Sequence, residues 1–218
     1  MSGVHEKGRA RRHAERAVGR ILGEGTAKFR YLTRPTSIDR VLEIILLPFL
    51  PRRVTPNQLT VFRLAVTPVV VALLLMKVYA WGTALFILAA LSDAADGALA
   101  RTTNRVTAWG IMFDPVADKL LIGSVALILV PAYLGAGLAW AIVAVEAVLV
   151  ASVYLRYGGK VVPAKMAGKI KMILQCAGLV VLLIYVNLGT PVLLSLAAFT
   201  LYASLFFSLL SVSIYRSI

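Results

Sequence analysis

From residue 59 onward the chain alternates long apolar runs with short polar breaks. The runs lie near 59–79, 82–102, 108–131, 137–157, 167–188 and 191–213. Each is about 20 residues, enough helix to cross roughly 30 Å of hydrocarbon. The pattern predicts an all-α integral membrane fold with six transmembrane helices. Just upstream, "TSIDRVLEIILLPFLPRR" reads differently. Thr36 to Asp39 fits a capping box that opens a helix. Its apolar part, Ile38 to Leu50, gives only about 20 Å of helix, too short to span. Pro48 and Pro51 stop it, and Arg52 and Arg53 follow. This predicts a juxtamembrane helix lying in the interface plane. The organisation expected is a basic arm (1–35), the interfacial helix (36–53) and a six-helix membrane domain (54–218).

Composition agrees with the pattern. The apolar fraction is 60%, above the globular norm of about 45–50%. One cysteine, Cys176, excludes an intramolecular disulfide and reads as a small apolar residue within a span. Residues 1–30 are polar and basic, without the apolar core of a secretory leader. Interspersed Glu6, Glu15 and Glu24 and few serines argue against an organellar transit peptide. The formal charge of +13 does not point to nucleic acid, because the arm lacks aromatic-basic interleaving. Anionic lipid headgroups fit it better, at about 1 kcal/mol for each nearby Lys or Arg.

Loop charge sets the orientation. Arg101 and Arg105 fall in or beside the turn that joins spans two and three, and Arg156, Lys160, Lys165, Lys169 and Lys171 fall in or beside the stretch that joins spans four and five. Arg216 is at the tail. The opposite loops contain only Lys77. The positive-inside rule then puts both termini in the cytoplasm.

Against this background four aspartates stand out. From residue 44 to the end the acids are Asp93, Asp96, Asp114, Asp118 and Glu146. Asp93 and Asp96 are three apart, and Asp114 and Asp118 four apart, so each pair shares a helix face. The short turn between spans two and three makes those helices antiparallel neighbours whose acids can point at each other. Buried ionised carboxylates cost several kcal/mol each (about that order) without partners. Acids within spans are functional by default. Hard oxygen ligands in such a cluster suit Mg²⁺ or Mn²⁺, one ion or two. Gly97, Ala98, Ala100 and Gly110 let a backbone or ligand approach closely, or serve helix packing. Arg101 is either a fork for a phosphate or a positive-inside anchor.

"DAADGALAR", eight residues, then "GIMFDPVAD" fits D-x2-D-G-x2-A-R-x8-G-x3-D-x3-D without a gap. With eight fixed positions in 26 residues, the chain resembles the CDP-alcohol phosphotransferases (CDP-alcohol phosphatidyltransferases), membrane enzymes of phospholipid synthesis. The resemblance covers nearly the whole membrane domain and leaves out the arm. It implies a homodimeric six-helix transferase in a membrane, here expected to be a bacterial inner membrane. Asp93, Asp96 and Asp114 would hold two divalent ions on the donor's diphosphate, and Asp118 would reach a metal and act as general base. Gly97, Ala100, Arg101 and Gly110 would contact or make room for the cytidine diphosphate. "TPNQLTVFR" resembles the family's P-N-x-x-T entry to the first span, which adds Asn57 and Thr60 to the nucleotide site; Arg63 is the weaker match there.

For the acceptor, "FDPVADKLL" and "AKMAGKIKMILQ" resemble the phosphatidylglycerophosphate synthase branch. The implied reaction moves a phosphatidyl group from CDP-diacylglycerol to glycerol 3-phosphate and releases CMP. Arg156, Lys165, Lys169 and Lys171 would bind the acceptor's phosphate; alternatively these lysines are topogenic anchors. The chain departs from the branch at Val145, where an arginine usually precedes the glutamate corresponding to Glu146. Cardiolipin synthesis from phosphatidylglycerol and transfer to an inositol or sugar phosphate stay open. A cation or proton transporter predicts acids spread through the membrane depth, whereas these gather at one edge. A non-enzymatic lipid-binding protein would tolerate Asp118→Asn.

Overall fold

A computed structural model describes residues 56–102, 108–157 and 166–216; side chains are described for 57–93, 113–114, 116–149, 168 and 170–212. The arm, the interfacial helix and Lys165 lie outside the described residues. Among the described residues six helices follow one another: α1 (Pro56–Leu75), α2 (Tyr79–Thr102), α3 (Ala108–Tyr133), α4 (Ala136–Tyr157), α5 (Met166–Leu188) and α6 (Pro191–Arg216). Their limits fall close to the apolar runs of the sequence. Among the described residues four stretches are long and apolar enough to cross a membrane: Asn57–Leu75, Val116–Tyr133, Ile170–Leu188 and Pro191–Val212. In α2 and α4 the described apolar stretches, Tyr79–Asp93 and Ala136–Leu149, are shorter.

Tight turns pair the helices into three antiparallel hairpins, α1–α2, α3–α4 and α5–α6. Each turn bends through one residue at positive φ: Lys77 (61°), Gly135 (100°) and Gly189 (69°). Glycine takes this conformation without a Cβ clash, whereas Lys77 adopts it at a cost of about 1–2 kcal/mol. The last turn closes by donation from Gly189 N to Tyr185 O at 2.7 Å.

The hairpins do not pack as a simple row. α1 lies against both α2 and α3, α5 against α6 and α2, and α4 against α6 and α3. Among the described residues α2 and α3 touch each other sparsely, so the expectation of direct neighbours is realised mainly through α1. Gly178 lets α5 and α6 approach: a Cβ there would stand 2.8 Å from Leu201 Cγ and Thr200 Oγ1.

On five of the six helices the buried stripe changes character along its length, whereas the described buried residues of α4, Leu138, Ala139, Ile142 and Leu149, are all apolar. On α1 it runs Thr60, Arg63, Thr67, Val70, Leu74; on α3 it runs Asp118, Leu121, Val125, Leu129. α5 begins with Lys171 and Gln175 and continues with Leu179, Leu182 and Leu183. The antiparallel helices read in reverse, Phe86 and Ala89 before Ser92 on α2, and Ala197 and Leu201 before Ser204, Ser208 and Ser211 on α6. The packed apolar core, including Val70, Phe86, Val125, Leu129, Leu182 and Leu201, therefore occupies the half of the bundle nearest the tight turns. The interior of the other half is polar. On the outside, Val61, Leu88, Leu91, Leu120, Phe199 and Phe206 are exposed, an apolar exterior suited to lipid.

Candidate functional site

The polar half is where the sequence's aspartates come together, and α1 does the gathering. Thr60 and Arg63 are three residues apart on one face of α1. Thr60 Oγ1 donates to Asp114 Oδ1 on α3 at 2.5 Å. Arg63 Nη1 pairs with Asp93 Oδ1 on α2 at 2.5 Å, with the arginine side chain fully buried and Asp93 39% exposed. One rung of α1 thus reaches each acid-bearing helix. Thr67, one turn further along, is satisfied locally by donating to Arg63 O at 2.8 Å.

Asp118 lies one turn beyond Asp114 on α3 and is buried. Asp93 acts electrostatically on both Asp114 and Asp118, so the three carboxylates share one region. Cys176 on α5 lies within electrostatic reach of Asp118 and Asp93. A buried guanidinium offsets part of this negative charge, as the cost of burying unpaired carboxylates requires.

Beside the acids is a second charged group, in which the lone acid of α4 meets a basic residue of the candidate acceptor pocket, the kind of partner its sequence position suggests. Glu146 on α4, otherwise a lone acid in an apolar helix, accepts from Lys171 Nζ on α5 through Oε1. Its Oε2 stands 3.8 Å from Lys119 Nζ on α3. Lys171 is buried, while Lys119 is half-exposed. Glu146 and Lys119 both act electrostatically on Asp118. A continuous charged network therefore runs from Asp118 through Lys119 and Glu146 to Lys171, across three helices.

Of the remaining sequence candidates, Asn57 is on the first turn of α1, half-buried, three residues before Thr60. Asp96, Gly97, Ala100 and Arg101 follow Asp93 on α2, Gly110 is in the first turn of α3, Arg156 in the last turn of α4 and Lys169 in the first turn of α5. Their side chains lie outside those described. Backbone register puts Asp96 one turn from Asp93 on the same face. Arg63 and Lys119 are the residues that sequence reading undervalued. The available signal for Arg63 was a guanidinium eight positions into an apolar span, on the Thr60 face.

Carboxylates of this kind suit a hard divalent cation. Among the described residues no three acid, histidine or cysteine groups close on a single point, and both Asp93 and Asp114 are turned toward α1. In donor chemistry the set fits Mg²⁺ or Mn²⁺. A three-oxygen shell needs Asp96, or a turn of Asp93 or Asp114 away from α1.

Comparison with known proteins follows the same lines. Residues 53–210 match the CDP-alcohol phosphatidyltransferase family. A Rickettsia typhi protein named CDP-diacylglycerol–glycerol-3-phosphate 3-phosphatidyltransferase is 46% identical over 77 residues, 34% of this chain. That match spans 43% of the Rickettsia protein, less than half its length. A Bacillus subtilis protein of the same name is 32% identical over 176 residues, 72% of this chain and 90% of that protein. A Mycobacterium bovis protein provisionally named cardiolipin synthase is 36% identical over 74 residues, covering 34% of this chain and 35% of that protein.

Proposed function

Because the chain belongs to the CDP-alcohol phosphatidyltransferase family, we propose that it transfers a phosphatidyl group from CDP-diacylglycerol to glycerol 3-phosphate, releasing CMP. The chain is an integral membrane protein of the transferase class. The observation that carries the finer reading is the meeting of Asp93, Asp114 and Asp118 in the polar half of an otherwise apolar bundle, in a chain with every fixed position of the family motif. The names of the Rickettsia and Bacillus relatives favour glycerol 3-phosphate as acceptor.

In this reading Asp93, Asp96, Asp114 and Asp118 hold divalent ions, Mg²⁺ or Mn²⁺, two in number. The ions, when bound, neutralise the donor's diphosphate and help CMP depart as an anion. Arg101 adds a planar fork to the same phosphates, with Gly97, Ala100 and Gly110 leaving room for the nucleotide and Asn57 and Thr60 lining it. Thr60 also fixes the Asp114 carboxylate by its hydrogen bond. Asp118, buried behind Asp114, accepts the proton of the attacking hydroxyl. That one proton passes from the acceptor oxygen to Asp118 as the oxygen's bond to phosphorus forms and the bond from phosphorus to CMP breaks. Lys171, with Arg156, Lys165 and Lys169, draws in the phosphate of the acceptor.

The same reading takes all six helices across the membrane of a bacterial cell, the 36–53 segment along the interface, both termini in the cytoplasm and two copies per assembly. The polar half then faces the cytoplasm. The lipid tails stay in the bilayer while the water-soluble acceptor enters from the cytoplasmic side. The test is release of labelled CMP from CDP-diacylglycerol with a panel of acceptors. Glycerol 3-phosphate alone should support it. Release driven only by phosphatidylglycerol, as the name of the Mycobacterium relative suggests for that protein, or only by inositol phosphate overturns the acceptor while leaving the family in place.

A further inference from the structure

The fully buried cation of α1 sits on an acid that the proposed mechanism gives to a metal. Arg63 pairs with Asp93 at 2.5 Å with none of its side chain exposed. Thr60, on the same face, holds Asp114. Both acids are thus drawn toward α1, and among the described residues no three acid, histidine or cysteine groups close on a single point. A guanidinium buried beside carboxylates is far more strongly coupled to them than a surface lysine, because little solvent screens the pair. A divalent ion entering the same region meets the field of that fixed positive charge, and must share or take over an Asp93 oxygen.

From this geometry we infer that Arg63 is a positioning residue that acts as the resident counter-ion of the aspartate cluster. It keeps Asp93 in place while no metal is bound, and it weakens divalent binding by charge repulsion and by competition for Asp93. This inference rests on the metal reading above and adds a role for α1 that the acid motif does not contain. Its physical consequence has a definite sign. An arginine that merely braced the helices would, on removal, let Asp93 drift and reduce metal affinity. A competing counter-ion would, on removal, increase it.

The experiment uses the full chain in detergent micelles, stripped with EDTA, and measures Mn²⁺ binding by electron paramagnetic resonance and thermal unfolding with and without Mn²⁺. In Arg63→Gln the metal-free protein should melt below wild type, and Mn²⁺ should bind at least about tenfold more tightly, since even at the dielectric of water the repulsion between a divalent ion and one charge at contact range exceeds that factor. Arg63→Lys, which keeps the charge, should stay within about twofold of wild type for Mn²⁺. Arg63→Met fills the same volume without charge and carries the same expectation if the glutamine variant does not fold. Unchanged or weaker Mn²⁺ binding in both uncharged variants overturns the inference. Failure of the wild type to bind Mn²⁺ at all overturns the metal reading itself, and this role for Arg63 with it.

Discussion

Removing the carboxylate of Glu146 should show how strongly α3, α4 and α5 are tied together. Glu146→Leu leaves Lys171, only 7% exposed, without the partner that holds its ammonium. Stripping one member from a buried pair costs about 3–5 kcal/mol. The Glu146 side chain is 22% exposed, so water recovers part of that loss and about 2–4 kcal/mol is expected. The 3.8 Å contact with Lys119, itself 47% exposed, adds under about 1 kcal/mol. Lys171→Met should cost less than Glu146→Leu, because it leaves behind a carboxylate that water still reaches. The double substitution should approach wild-type stability, since apolar replacement of a whole buried pair is often neutral. A four-protein cycle by denaturant unfolding in micelles, followed by tryptophan fluorescence, gives the coupling directly. We expect about 3 kcal/mol or more, the two single losses together less the small loss of the double variant. Additivity within about 0.5 kcal/mol, or a Glu146→Leu protein as stable as wild type, refutes the idea that Glu146 compensates Lys171.

Four further outcomes follow from the geometry. Asp118→Asn should reduce CMP release by at least about a hundredfold while melting no lower than wild type, because a neutral amide replaces a buried carboxylate. Thr60→Val should lower the same rate about tenfold by freeing Asp114, a hydrogen bond to a charged group being worth about 1.5–3 kcal/mol, and Thr60→Ser should restore most of it. Gly178→Ala should destabilise by about 1–3 kcal/mol through overpacking, since its Cβ meets both Leu201 and Thr200 at 2.8 Å. Gly82→Ala should cost less than Gly178→Ala in the same melting assay, because its tightest contact is Leu74 Cδ2, the end of a flexible side chain.

The helices were legible because each apolar run ends in a polar break or a turn residue. Gly135 and Gly189 bend the chain at positive φ between the runs. The aspartates were legible for a related reason: ionisable groups inside apolar stretches need a compensating purpose. What lay hidden was the partner of each charge. Periodicity tells which residues share a face, and it put Asp93 with Asp96 and Asp114 with Asp118. It does not tell which helix that face meets. Chain order made α2 and α3 the natural neighbours, yet α1 lies against both and takes an acid from each. Glu146, Lys119 and Lys171 are likewise scattered over 53 positions and become a network only when α3, α4 and α5 pack. The shift from apolar to polar along the buried stripes of α1, α2, α3, α5 and α6 was present in the sequence. It becomes visible only when the antiparallel order of the helices is known.

The pairing of Arg63 with Asp93 also bears on how the chain is made. Ribosomes deliver α1 first, and the aspartate that compensates its guanidinium emerges thirty residues later, roughly 2–6 s at about 5–20 residues per second. On insertion scales an arginine at a helix centre costs about 2.5–3.5 kcal/mol. Until α2 arrives, α1 is therefore a poor candidate for leaving the translocon alone. The first hairpin should partition into lipid as a couple, its salt bridge closing within the insertion channel or at its lateral gate.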